Sequence, residues 1–307
     1  KTYGADVRAD NFYMTCGAAA SLVISLKAIV EDPSDEVILV APFFPEYTVF
    51  VQNAGAKSVI LPPDTEHFQI SLDAMEKAIT PHTRAVIVNS PNNPSGVVYS
   101  ADTYEKLAAL LERKSKEIGH PIYLISDEPY REIIYDGLPI LYVPKFYRDT
   151  IVCYSYSKSL SLPGERIGYI LVPDCVTGSK EVYTAVCGAG RFMGFVCAPH
   201  LFQDVILKCM GQTSDVNVYD QNRKLLYNGL KEMGYDCVYP SGAFYLFVKS
   251  PEPDAKAFSD KAKKLNLLIV PADSFGCPGY VRISYCVDPD MIRRSFAAFE
   301  KLMAQYK

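Results

Sequence analysis

Short apolar runs alternate with longer stretches of helical periodicity between Asp10 and Val172. Most of these runs are apolar at successive positions, so both faces of such a strand need cover from helices. The predicted strands are 36–40, 58–61, 84–89, 122–126, 150–154 and 168–172, with helical patterns such as 18–30 and 101–118 between them. The alternation predicts an α/β fold with a mostly parallel sheet, whose ligands would bind at the carboxyl ends of the strands.

The pattern changes after about residue 213. A charged helical stretch runs to Met233, and the last helix begins at Pro289. Between them we predict strands at 235–239, 243–248, 267–270 and 280–284, and a helix at 254–265. We therefore predict a large α/β domain over residues 1–212 and a small C-terminal α+β domain over residues 213–307.

Charge and hydropathy exclude several classes of partner. A net charge of −4 and a pI of about 5.7 argue against a nucleic-acid partner, which would require clustered basic residues. The sequence has no apolar run long enough to span a membrane and no signal-peptide pattern at its start, so we expect a cytoplasmic protein. The nine cysteines are scattered without metal-ligand spacing, which predicts reduced thiols and no metal site.

A lysine stands just past the predicted strand 150–154. Residues 155–158 read Ser-Tyr-Ser-Lys, and Arg166 follows eight residues after Lys158. A desolvated lysine can lose its proton, and the neutral amine forms a Schiff base with an aldehyde. The Arg166 guanidinium is a planar fork suited to a phosphate. Read alone, however, the segment also fits a solvated loop.

Two further segments suit the phosphate and the ring of a ligand. Residues 15–19, Thr-Cys-Gly-Ala-Ala, open a helix with small side chains, where backbone N–H groups and the helix dipole favour an anion. An ordinary tight helix start is the alternative. Phe44 and Tyr47 follow the strand 36–40 and could stack on a flat ring, although aromatic residues often serve only to fill the core.

Polar groups follow two more predicted strands. Residues 89–96, Asn-Ser-Pro-Asn-Asn-Pro-Ser-Gly, form a stiff turn that could present amide groups to a cleft. Asp127 and Tyr130 follow the strand 122–126, and a buried carboxylate there needs a cation such as a protonated ring nitrogen. The alternative is that Asp127 only caps a following helix. A phosphate cradle, a stacking aromatic, an amide, a carboxylate and a Schiff-base lysine together match pyridoxal phosphate.

The ordered set of motifs, from residues 13–17 to residues 281–284, resembles the class I/II pyridoxal-phosphate aminotransferases of fold type I, of the aspartate aminotransferase kind. The resemblance implies a seven-stranded, mostly parallel sheet with helices on both faces, and a homodimer with shared active sites. It implies a ping-pong transfer of an amino group from an L-amino acid to a 2-oxo acid.

The resemblance also assigns roles to individual residues. Lys158 would hold the cofactor as a Schiff base and shuttle a proton, Asp127 would pair with the ring nitrogen, and Tyr130 with Asn93 would bind the ring oxygen. Phe44 would stack on the ring, and Arg282 with Asn93 would bind the substrate carboxylate. The phosphate would be held by Gly17, Ala18, Ala19, Ser155 and Arg166.

Three points separate this chain from a typical member: Ser95 stands where the family usually has Thr, Ser34 stands where it usually has Gly, and the chain starts late. Lys1 falls inside the family's large domain, so we expect its N-terminal arm to be absent. In aspartate aminotransferases a distal arginine, contributed by the partner subunit, binds the side-chain carboxylate of the substrate. Arg191 lies about one residue from that place and is a candidate for that role or for a surface or interface position. The same residues would also serve a C–S β-lyase, a non-catalytic regulatory module that binds the cofactor, or an inactive fragment.

Overall fold

A computed structural model describes residues 7–307, and the predicted alternation of strands and helices is present in it. The strands of the first sheet are β1 Phe12–Thr15, β2 Glu36–Val40, β3 Lys57–Leu61, β4 Thr83–Asn89, β5 Tyr123–Asp127, β6 Thr150–Ser155 and β7 Gly168–Leu171. The helices of this region are α1 Ala18–Ile29, α2 Glu46–Ala54, α3 Leu72–Ala78, α4 Ala101–Ile118, α5 Tyr156–Ser159, α6 Ser179–Phe192 and α7 His200–Lys208. Most predicted boundaries lie within one or two residues of those observed.

The first sheet has seven strands in the order β1-β7-β6-β5-β4-β2-β3. The pairs β3/β2, β2/β4, β4/β5 and β5/β6 are parallel, whereas β7 pairs antiparallel with both β6 and β1. The predicted mostly parallel, seven-stranded α/β sheet is therefore confirmed. The carboxyl ends of β4, β5 and β6 meet at one edge, which brings the polar residues after each strand together.

Strands β2, β4, β5 and β6 are buried on both faces, as the apolar runs predicted, whereas the edge strand β3 is largely exposed. In β2, Val37 and Leu39 pack into a core with α1, α2 and α6, whereas Ile38 and Val40 pack on the other face with α3 and α4. Because side chains alternate along a strand, a fully apolar run contributes to both cores at once.

Two helices of this region begin in different ways. Helix α4 has a capping side chain, since Ser100 Oγ accepts a hydrogen bond from Thr103 N at 3.0 Å. At the start of α1, Gly17 has φ +91° and supplies no side-chain cap. The first backbone N–H groups of α1 are thus left without a side-chain acceptor.

The C-terminal region forms a second sheet with its own helices. Its strands are β8 Asp236–Val238, β9 Tyr245–Lys249, β10 Val270–Pro271 and β11 Tyr280–Ser284, in the antiparallel order β10-β11-β9-β8. Its helices are α8 Val216–Glu232, α9 Ala255–Lys263 and α10 Pro289–Met303. Only the end of the predicted strand 267–270 pairs with β11, although Leu267 and Ile269 are buried in the core.

One segment between β5 and β6 packs with the C-terminal region. Tyr130, Ile133 and Tyr135 share a core with α8, β9 and α10. The Tyr135 N–H donates to Ser241 O at 3.0 Å, and Ile134 forms an isolated antiparallel bridge with Gly242. The boundary between residues 212 and 213 stays a prediction, and part of the preceding chain contributes to the second core.

Candidate active site

A cavity of about 340 Å³ lies at the carboxyl edge of the first sheet. Ten residues singled out in the sequence line it: Ala18, Ala19, Phe44, Asn93, Asp127, Tyr130, Ser155, Lys158, Arg166 and Arg282. They come from segments far apart in the chain, and the parallel strands bring them together by ending at one edge. Arg282, on β11, adds a guanidinium from the second sheet.

The start of α1 forms one end of the cavity. A Cβ atom on Gly17 would lie 2.7 Å from Arg166 Nη2, so the guanidinium occupies the space that a side chain would need. Ser155 Oγ accepts a hydrogen bond from Ser157 N at 3.1 Å and donates to Ser157 Oγ at 2.7 Å. An arginine, hydroxyl groups and an uncapped helix N-terminus are the groups that bind a phosphate.

Arg166 is held in an unusual backbone conformation. Its φ is +52°, in the left-handed region that disfavours side chains. The guanidinium Nη1 donates to Pro163 O at 2.9 Å. Such conformations cost about 1 to 3 kcal/mol and are concentrated at functional sites.

Asp127 is a buried carboxylate, and one of its two oxygens lacks a hydrogen-bond partner. Tyr47 donates its hydroxyl hydrogen to Oδ2, and Asn89 Nδ2 donates to the backbone oxygen of Asp127 at 2.9 Å. The other oxygen, Oδ1, is buried without a hydrogen-bond partner. Burial raises the pKa of Asp127 to about 7, the Tyr47 hydrogen bond opposes this rise, and the charge of Glu128 adds to it.

The environment of Asp127 suits a cation and excludes the helix-cap alternative. Residues 129–132, which follow β5, form a turn rather than a helix. A protonated ring nitrogen would give Oδ1 its missing partner and lower the pKa of the carboxyl group. The unpaired carboxylate oxygen at this point therefore fits the N–H of a pyridinium group.

Lys158 lies in the short helix α5, directly after β6, and is half-buried. Burial is the main cause that lowers its pKa below the ordinary 10.5, and the charges of Arg166 and Arg282 lower it further, while Cys286 opposes them. Its Nζ lies 5.5 Å from the centre of the Phe244 ring. The lysine is thus in a partly desolvated cavity and not on a solvated loop, and its neutral form is favoured.

The remaining predicted groups lie on the walls of the cavity. Arg282 Nη1 donates to Asn93 Oδ1 at 2.8 Å, and Asn93 N donates to Asn89 Oδ1 at 2.8 Å. Phe44 is half-buried and meets the Tyr47 ring edge-on, at 5.7 Å between ring centres. These contacts hold an amide, a guanidinium and an aromatic ring around the same space.

Two expectations fall outside this cavity. Arg191 is exposed at the end of α6 and is not among the residues that line the cavity of its own chain, so its role toward a partner subunit stays a prediction. The expected absence of the N-terminal arm concerns residues at and before Lys1, and residues 1–6 lie outside the described part of the chain.

Sequence patterns assigned no individual role to Asn89, Ser157 or Tyr245, and they indicated Tyr47 as a stacking ring and not as a donor to Asp127. Asn89, Ser157 and Tyr245 line the cavity, and Tyr47 binds Asp127. Asn89, Ser157 and Tyr47 stand inside the motifs considered above, so position after a strand was a usable signal. Tyr245 lies in the second sheet, and no local pattern connects it with the site.

Residues 7–307 lack two further kinds of feature. No helix there is both long and apolar enough to cross a membrane. No group of three or more His, Cys, Asp or Glu side chains in that range could hold a metal ion. The nine cysteines are free thiols.

Comparison with known proteins gives concordant matches. The family model described as aminotransferase class I and II matches residues 2–299. The aromatic-amino-acid aminotransferase 2 of Thermococcus litoralis is 30% identical over 306 residues, covering 96% of this chain and 76% of that protein. The aspartate aminotransferase of Pyrococcus abyssi is 30% identical over 303 residues, covering 95% and 75%. The crystal structure of an amino transferase from Eubacterium rectale superposes with a TM-score of 0.98 at 62% identity, covering 100% of this chain and 77% of that one.

Proposed function

Because the chain belongs to the class I and II aminotransferase family, we propose that Lys158, Asp127 and Tyr130 are its catalytic side chains. It is a fold-type-I enzyme that depends on pyridoxal phosphate and transfers an amino group from an amino acid to a 2-oxo acid. The relatives compared above are aminotransferases, so a C–S β-lyase and a regulatory module are not favoured.

The observation that carries this assignment is the unpaired Oδ1 of Asp127 in the same cavity as Lys158. A buried carboxylate without a partner is costly, and that cost is offset when a cation binds there. Lys158 has a lowered pKa, which favours a neutral amine. The cavity thus combines a carboxylate that lacks a cationic partner with a nucleophilic amine.

Pyridoxal phosphate, when bound, supplies an aldehyde that condenses with amines and a ring that accepts the electrons released at the substrate Cα. Arg166, Ser155 and Ser157 would hold its phosphate at the start of α1, and Asp127 would keep its ring nitrogen protonated. Tyr130 and Asn93 would bind its ring oxygen, and Phe44 would lie against its ring.

Lys158 has two tasks in the proposed mechanism. Its neutral amine first holds the cofactor and is then released when the substrate amine takes its place. The freed amine would then accept the proton from the substrate Cα and donate it to the C4′ carbon of the cofactor, so that one side chain serves both proton transfers. Arg282 binds the substrate carboxylate, which orients the Cα–H bond toward Lys158.

The substrate and the assembly are part of this proposal. The relatives' names point to aspartate or an aromatic amino acid as the donor. We place the enzyme in the cytoplasm. We also infer a homodimer, because large apolar side chains on α6 and α7 are exposed, among them Phe192, Leu201 and Leu207. In such a dimer Arg191 would bind a side-chain carboxylate in the partner's site. An Arg191→Ala variant with an unchanged turnover ratio of aspartate to phenylalanine would contradict that role.

The test is to trap the cofactor chemically on its lysine. The protein is loaded with pyridoxal phosphate, reduced with sodium borohydride, digested and analysed by mass spectrometry. We expect the pyridoxyl group on Lys158 and no transfer from amino acid to 2-oxo acid in Lys158→Ala. Lys106→Ala, which changes an exposed lysine on α4, is the matched control. A modified lysine elsewhere, or full turnover by Lys158→Ala, would overturn the proposal.

A further inference from the structure

Tyr245, on the second sheet, contacts two groups of the proposed site, Tyr130 and Arg282. It is buried on β9 and lines the cavity. Its hydroxyl lies 3.0 Å from the Tyr130 hydroxyl, and its ring centre lies 4.5 Å from the guanidinium carbon of Arg282. We propose that Tyr245 is a positioning residue, whose hydroxyl orients Tyr130 toward the cofactor and whose ring orients Arg282 toward the substrate carboxylate. This inference rests on the function proposed above.

Each of the two phenols has only one hydroxyl proton to donate. A phenol has one O–H, so in the Tyr130–Tyr245 pair only one hydroxyl donates to the other. If Tyr130 donates to the ring oxygen of the cofactor, then Tyr245 has to donate to Tyr130. Burial raises the pKa of both phenols above the ordinary 10, so both keep their protons at neutral pH. The Tyr245 hydroxyl therefore fixes the direction in which Tyr130 donates.

The register of the second sheet places the Tyr245 ring beside Arg282. Tyr245 pairs with Ser284, two residues from Arg282 on β11, so Tyr245 and Arg282 are diagonal neighbours on one face. The guanidinium also lies 5.0 Å from the centre of the Phe275 ring. Two aromatic rings and Asn93 thus restrict the guanidinium, which leaves its remaining N–H groups for a carboxylate.

Two substitutions separate the two contacts. Tyr245→Phe keeps the ring and removes the hydroxyl, so we expect kcat to fall about fivefold, as for the loss of one hydrogen bond, with KM nearly unchanged. The pH dependence of the cofactor absorbance should shift as well. Tyr245→Leu also removes the ring, so KM for the amino acid should rise about tenfold in addition. If the Leu variant does not fold, Tyr245→Met removes the ring with less change in volume.

A binding measurement complements the kinetics. Calorimetry on the cofactor-loaded enzyme with 3-phenylpropanoate, a carboxylate without an amino group, reports carboxylate binding at Arg282 without any reaction of an amine with the cofactor. We expect Tyr245→Phe to bind it like the unaltered enzyme and Tyr245→Leu to bind it about tenfold more weakly. Tyr285→Phe is the matched control, because its buried hydroxyl bonds to Ala243 O at 3.2 Å and it does not line the cavity. It should change stability without changing kcat, KM or the absorbance profile.

The outcomes distinguish this proposal from the function on which it rests. Unaltered kcat and absorbance in Tyr245→Phe would overturn the hydroxyl role, and equal carboxylate affinity in Phe and Leu variants would overturn the ring role. If both happen while Lys158→Ala is inactive, the positioning proposal alone falls. Full turnover by Lys158→Ala would overturn the proposed function itself.

Discussion

Asp127 and Glu128 are adjacent buried carboxylates at the end of β5, and their surroundings differ. Glu128 is fully paired, because Ser126 Oγ donates to its Oε1 at 2.7 Å and the guanidinium of the buried Arg131 binds its Oε2. Asp127 faces the cavity with Oδ1 unpaired. Burial is costly for both carboxylates. Among the described residues, a cation offsets this cost for Glu128 and none does so for Asp127.

The difference separates a carboxylate that the protein itself pairs from one that we propose a ligand pairs. The Glu128–Arg131 pair continues to the Tyr169 hydroxyl, which Arg131 Nη1 reaches at 2.8 Å, and to the Tyr154 ring at 4.4 Å. This is a closed network that stabilises the fold behind the sheet edge. We propose that a ligand supplies the missing partner of Asp127 Oδ1, so Asp127→Asn and Glu128→Gln should have different effects.

The largest effect is expected from Asp127→Asn in the cofactor-loaded enzyme. Removing one partner of a buried ion pair costs about 3 to 5 kcal/mol, which corresponds to a fall of roughly 10²- to 10⁴-fold in kcat/KM. Steady-state transamination kinetics measure it. A loss below tenfold would show that Asp127 does not meet a cation in the working enzyme.

The same substitution should act oppositely on the stability of the cofactor-free protein. In the folded state the pKa of Asp127 is about 7, above its ordinary 3.8, so the native state binds more protons between these values. The resulting penalty is absent below about pH 4, grows as the pH rises to 7 and is then constant, at about 1.36 kcal/mol per pH unit and on the order of 4 kcal/mol in total. Asp127→Asn should therefore gain stability over the unaltered chain as the pH rises. Urea unfolding at pH 5, 6, 7 and 8 measures this, and a constant difference would contradict it.

Glu128→Gln should cost stability instead of catalysis. It leaves the buried Arg131 without its anion, and we expect about 3 kcal/mol of lost unfolding free energy, the lower end for such pairs because glutamine keeps an oxygen acceptor. Denaturant unfolding and kcat/KM of the folded fraction measure the two effects. If activity fell as for Asp127→Asn while stability held, the contrast between the two carboxylates would be wrong.

The smallest effect is expected for a paired carboxylate on the surface. Glu76 binds Arg113 at 2.8 Å, and both side chains are nearly half exposed. Because exposed ion pairs are weak and screened by salt, Glu76→Gln should be indistinguishable from the unaltered protein in repeated unfolding curves and in kcat/KM. A clear loss would mean that pairing alone, irrespective of burial, determines the response.

Much of this site could be predicted because its groups follow buried parallel strands. Asp127 and Lys158 stand directly after apolar runs, and the topology of a parallel sheet brings such positions to one edge. The apolar runs themselves predicted the strands well where both faces are buried. They were less reliable at 267–270, where Leu267 and Ile269 are buried but hydrogen bonds to β11 begin only at Val270.

The contacts between the two sheets could not be predicted from local patterns. The Tyr130–Tyr245 hydrogen bond joins residues 115 positions apart, and the sequence places them in different predicted domains. The packing of Ile133 and Tyr135 into the C-terminal core was missed for the same reason. Periodicity reports which side chains are buried, but not which distant element covers them.

The left-handed backbone of Arg166 has a consequence for engineering. A search for stabilising substitutions guided by backbone geometry would select position 166 for glycine, which adopts φ +52° without strain. That exchange would remove the guanidinium that lies against Gly17 at the start of α1. The exchange would relieve the backbone strain of the empty protein, but in the proposed site it would also remove the arginine that holds the cofactor's phosphate. Thermal robustness measured without ligand is therefore a misleading target for this protein.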